Sequence, residues 1–412
     1  MNSKLKRAHG NWVVGDRFWD REEDLALFTR RIDEGAHLLL VAQRRMGKTS
    51  VMREAARRLA ARYLCVFVDL QKAAGAPDAV VELSLAMHEH RPLWNRAKQV
   101  FSNILNKVEE VKLRDLGIRL RASLTAGNWA EKADQLLAIL AAADKPVLLL
   151  LDEVAIAVNR MLKGEDFTIT PERRAQVDEF MSWLRKSCTK HQGKVRVVIS
   201  GSIGLEPILH QAHLSATINN LEPFELKAWD EATAVGCLEA LANEYGVQFE
   251  DGVPAEMVRQ LGCCIPHHVE MFFTHVYDRC VRRGSMVCST GDIAEVYQSE
   301  MLGTRGHVEL THYEERLKQV LGDEVLPLGL EMLTEAAVTG HLGAEALAAL
   351  QKDYTLAGRT VADVQKQILW VLEHDGYLKP GSQGYVFVSK LLRDWWENRH
   401  RLFFTAVSKR GR

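Results

Sequence analysis

The chain has 412 residues, enough for roughly two or three domains with ordinary cores. Its 53 Lys plus Arg against 54 Asp plus Glu give bulk charge no bias for or against nucleic acid. No apolar run reaches the ~18 residues of a membrane span, no apolar stretch follows the basic N-terminus, and the seven cysteines are odd in number. The expectation is therefore a reduced, cytoplasmic protein without a membrane segment, a signal peptide or a disulfide framework.

Charge is placed unevenly. Lys4, Lys6 and Arg7 lie near the N-terminus, and residues 399–412 carry Arg399, Arg401, Lys409, Arg410 and Arg412 with no acid. Both stretches read as solvated ends, with an arm for an anionic partner as the alternative. Between them, segments 37–42, 63–70 and 146–152 are short and apolar on both faces, the pattern of buried parallel strands. A fourth strand is predicted at 195–200 after a turn at Gly193, and a fifth at 221–226. Helical patterns at 50–62, a long insert at 79–142 and 171–191 alternate with them, which implies a doubly wound α/β domain. The composition then becomes helical and strandless, with helices expected at 230–244, 255–261, 266–282 and 290–301. A further unit has helices including 361–374, a turn at 379–382, a short strand at 385–388 and an amphipathic helix at 391–399. Helices followed by a β-wing predict a winged helix.

The first strand leads into Ala42-Gln43-Arg44-Arg45-Met46-Gly47-Lys48-Thr49-Ser50 and then directly into a helix. This meets the G-x-x-x-x-G-K-[ST] phosphate-loop pattern except at its first position, which is Ala42. Gly47 lets the backbone curl so that successive N–H groups face an anion, and the helix N-terminus adds its positive end. Residues Arg44, Arg45, Met46, Gly47, Lys48, Thr49 and Ser50 are thus expected to hold a nucleotide, with Lys48 on the phosphates and the Thr49 hydroxyl on Mg²⁺. The strand 146–151 runs into Asp152-Glu153, 104 positions after Lys48. A buried strand ending in Asp places a carboxylate at the sheet edge where α/β folds bind ligands. Asp152 is expected to serve the metal, and Glu153 to orient an attacking water. Ser200, at the end of the fourth strand, is a candidate for the γ-phosphate or that water, with Ser202 ranked below it.

Taken together, several segments resemble the archaeal-type ATPases of the AAA+/STAND group. They are the lead-in Phe18-Trp19-Asp20-Arg21-Glu22, the loop 44–50, the segment 195–202, Leu221-Glu222-Pro223-Phe224, the lid-like stretch 261–270, and the end from Gly376-Tyr377-Leu378 to Trp395-Trp396. The resemblance spans about residues 12–400. It implies a parallel-sheet P-loop ATPase domain (18–220) after an N-terminal extension (1–17). A helical lid (221–303), a winged helix (304–403) and a basic tail (404–412) follow. It also implies ATP or ADP with Mg²⁺, a nucleotide-driven switch, homo-oligomeric assembly, Phe18, Asp20 and Arg21 near the adenine, and Pro266 near the base or ribose. Asp20, Ala42 and Cys264 stand where the group's motifs have Gly.

Cys263-Cys264 and His267-His268 lack the spacing of a structural zinc site. His267, beside Pro266, is a candidate phosphate contact. Residues 360–394 carry four cations and four anions, so the winged helix reads as a protein-docking module, and any DNA binding is expected to be weak and sequence-independent. Trp395-Trp396 and Phe403-Phe404 read as packing residues. No arginine occurs in 197–258, where fast ring ATPases of this group carry an arginine finger. Arg173, Arg174 and Arg185 are the substitutes, and slow basal hydrolysis is expected. Two alternatives stand beside this reading: a DNA loader resembling replication initiators or transposition regulators, and a hydrolytically idle, nucleotide-bound scaffold.

Overall fold

The computed structural model describes residues 5–8, 10, 12–102, 113–356 and 358–410. Lys4, Arg412 and positions 103–112 of the expected insert lie outside the described residues. The chain divides into two compact units, Arg21–Val41 with Lys48–Glu225, and Met1–Asp20 with Ala42–Gly47 and Leu226–Arg412.

The first unit is built on five parallel strands, β1 (Leu38–Val41), β2 (Leu64–Asp69), β3 (Val147–Asp152), β4 (Val195–Ile199) and β5 (Glu222–Glu225), in the order β2-β3-β4-β1-β5. The interior strand β3 is buried along its whole length, as a sheet covered on both faces requires. Its helices are α1 (Glu22–Glu34), α2 (Lys48–Leu59), α3 (Ala76–His88), α4 (Arg91–Val100), α5 (Leu113–Ser123), α6 (Trp129–Ala141), α7 (Val154–Lys163), α8 (Pro171–Lys190) and α9 (Leu205–Gln211). The expected helical insert is, among the described residues, a set of separate helices. Pro92, in the first turn of α4, can start a helix but not continue α3. Register pairs Leu151 with Ile199, and Ile199 with Leu39, so the C-terminal ends of β3, β4 and β1 lie side by side at one edge.

The second unit contains α10 (Glu231–Tyr245), β6 (Gln248–Phe249), α11 (Val253–Leu261), α12 (Pro266–Arg283), β7 (Val287–Cys288) and α13 (Thr290–Val296). A π-turn at Tyr297–Met301 leads to α14 (Thr304–Leu321), α15 (Leu326–Thr339), α16 (Ala344–Asp353), α17 (Val361–His374), β8 (Leu378–Gly381), β9 (Gly384–Phe387) and α18 (Lys390–His400). The stretch read as strandless holds the parallel pair β6–β7, too short for a period-2 signal. The turn expected at 379–382 is largely strand: β8 and β9 form an antiparallel wing, and Pro380 pairs with Tyr385, as an edge strand tolerates. Helices α15, α16 and α17 precede this two-stranded ribbon in the chain.

Trp395 and Trp396 are buried, and their indole N–H groups donate to His307 and Thr334. Phe403 does not pack as expected. It is 93% exposed, while Phe404 is half-buried under the Arg410 guanidinium. The basic ends are not simply solvated either. Arg399 pairs with Glu314 at 2.8 Å, Arg401 with Glu397 at 3.0 Å, and Arg410 with both Glu331 and Asp353. At the other end Lys6 pairs with Asp16, and Arg7 lies 4.8 and 4.3 Å from the Tyr245 and Tyr277 rings.

Candidate functional site

Between the end of β1 and the start of α2, residues 42–47 turn the chain through two left-handed positions, Arg45 (φ +68°) and Gly47 (φ +87°). Gly47 adopts this geometry without the Cβ penalty that an L-residue carries. Ala42 is not among the positive-φ residues, which accounts for alanine at a position where the motif has glycine. Met46, Lys48 and Ser50 are buried and Thr49 is half-buried. The buried Met46 side chain anchors the loop, and Ser50 is buried in the first turn of α2.

Asp152 ends β3 with 6% exposure and is the hub of the site. The Thr49 hydroxyl donates to Oδ2 at 2.7 Å, and the Glu153 N–H donates to Oδ1 at 3.0 Å. The Ser200 hydroxyl also donates to Oδ1. Ser200 was expected to offer its hydroxyl to phosphate or water; instead it is buried and spent on Asp152, because the β3–β4 register sets the two strand ends side by side. Glu153 caps α7 at φ +58°. Its Oε2 accepts from both the backbone N–H and the hydroxyl of Ser202, each at 2.9 Å. Ser202, ranked below Ser200 from sequence, is therefore the residue that holds the acidic partner of the pair. Sequence reasoning passed over Arg53, whose guanidinium lies 3.8 Å from the Phe67 ring centroid. Burial pushes its pKa below the ordinary arginine value, while the Asp152 carboxylate acts in the opposite direction.

In the lead-in box, Asp20 (φ +56°) and Arg21 (φ +68°) are both left-handed. The first explains why the resembling motif has Gly there, and Asp is among the side chains that tolerate the geometry. Arg21 is buried and donates to Asp24 at 2.9 Å. Phe18 is half-buried, and its neighbour Trp19 donates to the Thr233 carbonyl at 3.2 Å. Pro266 is at the start of α12, where its fixed φ suits the first turn and its missing N–H is not needed.

Within the second unit, the loop arginines meet α14 and α12. Arg45 Nη2 lies 3.3 Å from Glu309 Oε2, and His267 Nε2 lies 3.3 Å from the same oxygen. Arg44 lies 5.9 Å from the Tyr313 ring centroid, one turn further along α14. The hydrogen bond from His267 leads the effects holding the Glu309 carboxyl down to about 2, and burial depresses His267 and Arg45. Arg44 Nη1 and Arg45 Nε are nonetheless buried with no hydrogen-bond acceptor. Such orphaned donors are costly unless an anion meets them. The Thr49 hydroxyl and Asp152 carboxylate form a hard oxygen donor set of the kind that Mg²⁺ prefers. Nothing in the spacing of 304–321 marked Glu309 or Tyr313 as partners of the loop.

No family model matches this sequence, and no curated protein matches it. Among solved structures the chain is similar to the Walker-type ATPase PABY2304 of Pyrococcus abyssi, at 15% identity and a TM-score of 0.63, over 95% of this chain and 99% of that one. It is also similar to the Aeropyrum pernix ORC2 protein in its ADPNP–ADP complexes, at 12% identity and a TM-score of 0.52, over 94% and 97% of the two chains. The likeness shows the fold alone, an α/β P-loop NTPase fold with a parallel sheet and a helical C-terminal part. Among the described residues, no helix is long and apolar enough to cross a membrane.

Proposed function

We propose that this chain, which has the archaeal-type AAA+ P-loop ATPase fold, binds ATP or ADP with Mg²⁺, hydrolyses ATP slowly, and uses the bound state as a STAND-like conformational switch. The observation that carries this reading is the 2.7 Å contact between Thr49 and Asp152, which joins the phosphate loop to the strand-end carboxylate that a metal-assisted phosphoryl transfer needs. The loop N–H groups and Lys48 cradle the phosphates, with Arg44 and Arg45 as further cations. Thr49 and Asp152 would hold Mg²⁺, which when bound would supply neutralising charge at the phosphates. Glu153, once released from Ser202, orients water for in-line attack, while Ser200 fixes the Asp152 carboxylate. Phe18 and Arg21 with Pro266 are proposed to frame the base.

The working organisation is an ATPase domain at 18–220, a lid at 221–303, a winged helix at 304–403 and a tail at 404–412, assembling as a homo-oligomer that engages a protein through the winged helix. The scaffold alternative gains one specific support, the double hold of Ser202 on Glu153. The DNA-loader alternative is weakened by the acidic partners of Arg399, Arg401 and Arg410. Calorimetry with ATP·Mg²⁺ on purified protein, followed by single-turnover hydrolysis, tests the reading. Absence of saturable nucleotide binding sinks it, and binding without any turnover selects the scaffold.

A further inference from the structure

We propose that Glu309 is a positioning residue that holds Arg45 and His267 when no phosphate is present, so that nucleotide binding must break this contact and release α14 from the phosphate loop. The inference rests on the nucleotide reading of the loop and extends it to how occupancy reaches the C-terminal part of the chain.

The geometry is that of a replaceable anion. A single oxygen, Glu309 Oε2, faces both Arg45 Nη2 and His267 Nε2, each at 3.3 Å. Those distances are at the loose end for charge-assisted hydrogen bonds, which are strongest near 2.7–2.9 Å. The carboxylate is 37% exposed, while Arg45 and His267 are 21% and 18% exposed. The contact therefore neutralises a half-buried cation without satisfying it: Arg45 Nε and Arg44 Nη1 still lack acceptors. A phosphate group offers more charge and more acceptor oxygens than one carboxylate oxygen, so it displaces Glu309 where the two compete.

The consequence is carried by the same helix. Glu309 and Tyr313 are one turn apart on α14, and Tyr313 faces Arg44. Gln43, on the same loop, approaches Gly376 (φ +77°) so closely that a Cβ there would lie 2.2 Å from the Gln43 side chain. Three consecutive loop residues thus meet α14 or the start of the wing. The π-turn at Tyr297–Met301 lies immediately before α14, a bulge of the kind that lets helix register shift.

The test uses the full chain with ATP·Mg²⁺ and, separately, inorganic pyrophosphate. Glu309→Gln removes the competing charge and is expected to tighten binding of both about three- to ten-fold, the scale of one partly exposed ion pair with its hydrogen bond. Glu315→Gln, on the same helix, is expected to leave affinity unchanged, and Glu309→Gln is expected to have no further effect once Arg45 is Gln. In the parent, amide exchange across 304–321 is expected to speed up when nucleotide is added, a readout independent of any variant. Unchanged or weaker binding by Glu309→Gln, or nucleotide-independent exchange in that helix, overturns the proposal. A parent that binds neither ligand overturns the nucleotide reading and this inference with it.

Discussion

Glu153 and Ser202 are joined twice, the serine N–H and hydroxyl both reaching one carboxylate oxygen at 2.9 Å. A carboxylate oxygen that accepts two hydrogen bonds from Ser202 is not free to orient water, so the proposed turnover includes the cost of releasing it. Ser202→Ala leaves only the backbone bond and is expected to raise basal hydrolysis about two- to ten-fold, the worth of one hydrogen bond. Glu153→Gln is expected to retain ATP while slowing hydrolysis ~10²-fold or more. Single-turnover phosphate release measures both, and a Ser202→Ala enzyme slower than the parent contradicts the restraint.

Lys48 is buried in the first turn of α2 beside Gly47, where its ammonium is proposed to meet phosphate. Lys48→Ala is expected to lower ATP·Mg²⁺ affinity at least roughly thirty-fold, the scale of deleting one partner of a desolvated charge pair. The melting curve should stay cooperative. Calorimetry on the folded variant decides it, and unchanged affinity removes Lys48 from the phosphate site.

His268 is fully enclosed next to Tyr313 and is pushed down to about 3, chiefly by burial. Because its folded value lies below the ordinary 6.5, the unfolded chain takes up the proton first as pH falls. This group's contribution to stability is therefore complete above about pH 6.5 and is lost progressively toward pH 3, at roughly 1.4 kcal/mol per pH unit. Denaturant midpoints between pH 7 and 4 are expected to fall less steeply in His268→Gln than in the parent. Parallel slopes would show that the ring is not buried neutral.

Arg410 reaches Glu331, Asp353 and the Phe404 ring from the end of the chain, while Ala406 and Val407 are buried behind it. Arg410→Ala is expected to cost about 1 kcal/mol, a shift of roughly 2–4 °C in the melting of the unit that holds it. Lys409→Ala is expected to cost nothing measurable. If gel shifts detect DNA at all, the affinity should be weak and should fall with salt for every sequence tried. Tight, sequence-selective binding would show that the neutral face of α17 was misread.

What the sequence made legible was local. The phosphate loop, the Asp152-Glu153 strand end and the five strands of the sheet are each written in a few consecutive residues, so period and motif sufficed. The contacts that modify the site are not of that kind. Arg45 and Glu309 are 264 positions apart, and no spacing rule links a loop cation to one acid among many on a distant amphipathic helix. The same holds for the tail, whose cations looked unpaired because Glu314, Glu331 and Asp353 lie far upstream. Ser200 and Ser202 were equivalent as residue types. Only the register of β3 against β4 gave the first to Asp152 and the second to Glu153. The β6–β7 pair was illegible because two-residue strands have no periodicity to read.

The three arginines on α8 that stand in for an absent finger are not equivalent in the structure, and that separates their expected roles. Arg173 is committed to its own loop, donating to the Lys163 and Thr168 carbonyls and to Asp166. Arg185 donates to the Ala216 carbonyl at 3.0 Å. Arg174 is exposed in the first turn of α8. Two helices, α7 and α8, lie between β3 and β4, and Arg185 is about 16 Å along α8 from Arg174. Exposed as it is, Arg174 is the cation proposed to reach a neighbouring copy's γ-phosphate. Arg174→Ala is expected to leave nucleotide affinity and the slow rate of the dilute protein unchanged while abolishing any acceleration on assembly. A finger contributes on the order of 10³–10⁵ in rate, so the loss is large against a slow background. Steady-state hydrolysis measured across protein concentration, with the mass of each sample read in parallel, checks this. Turnover by monomers well above ~1 s⁻¹ contradicts the slow-switch reading, and acceleration surviving in Arg174→Ala but lost in Arg185→Ala moves the finger to Arg185.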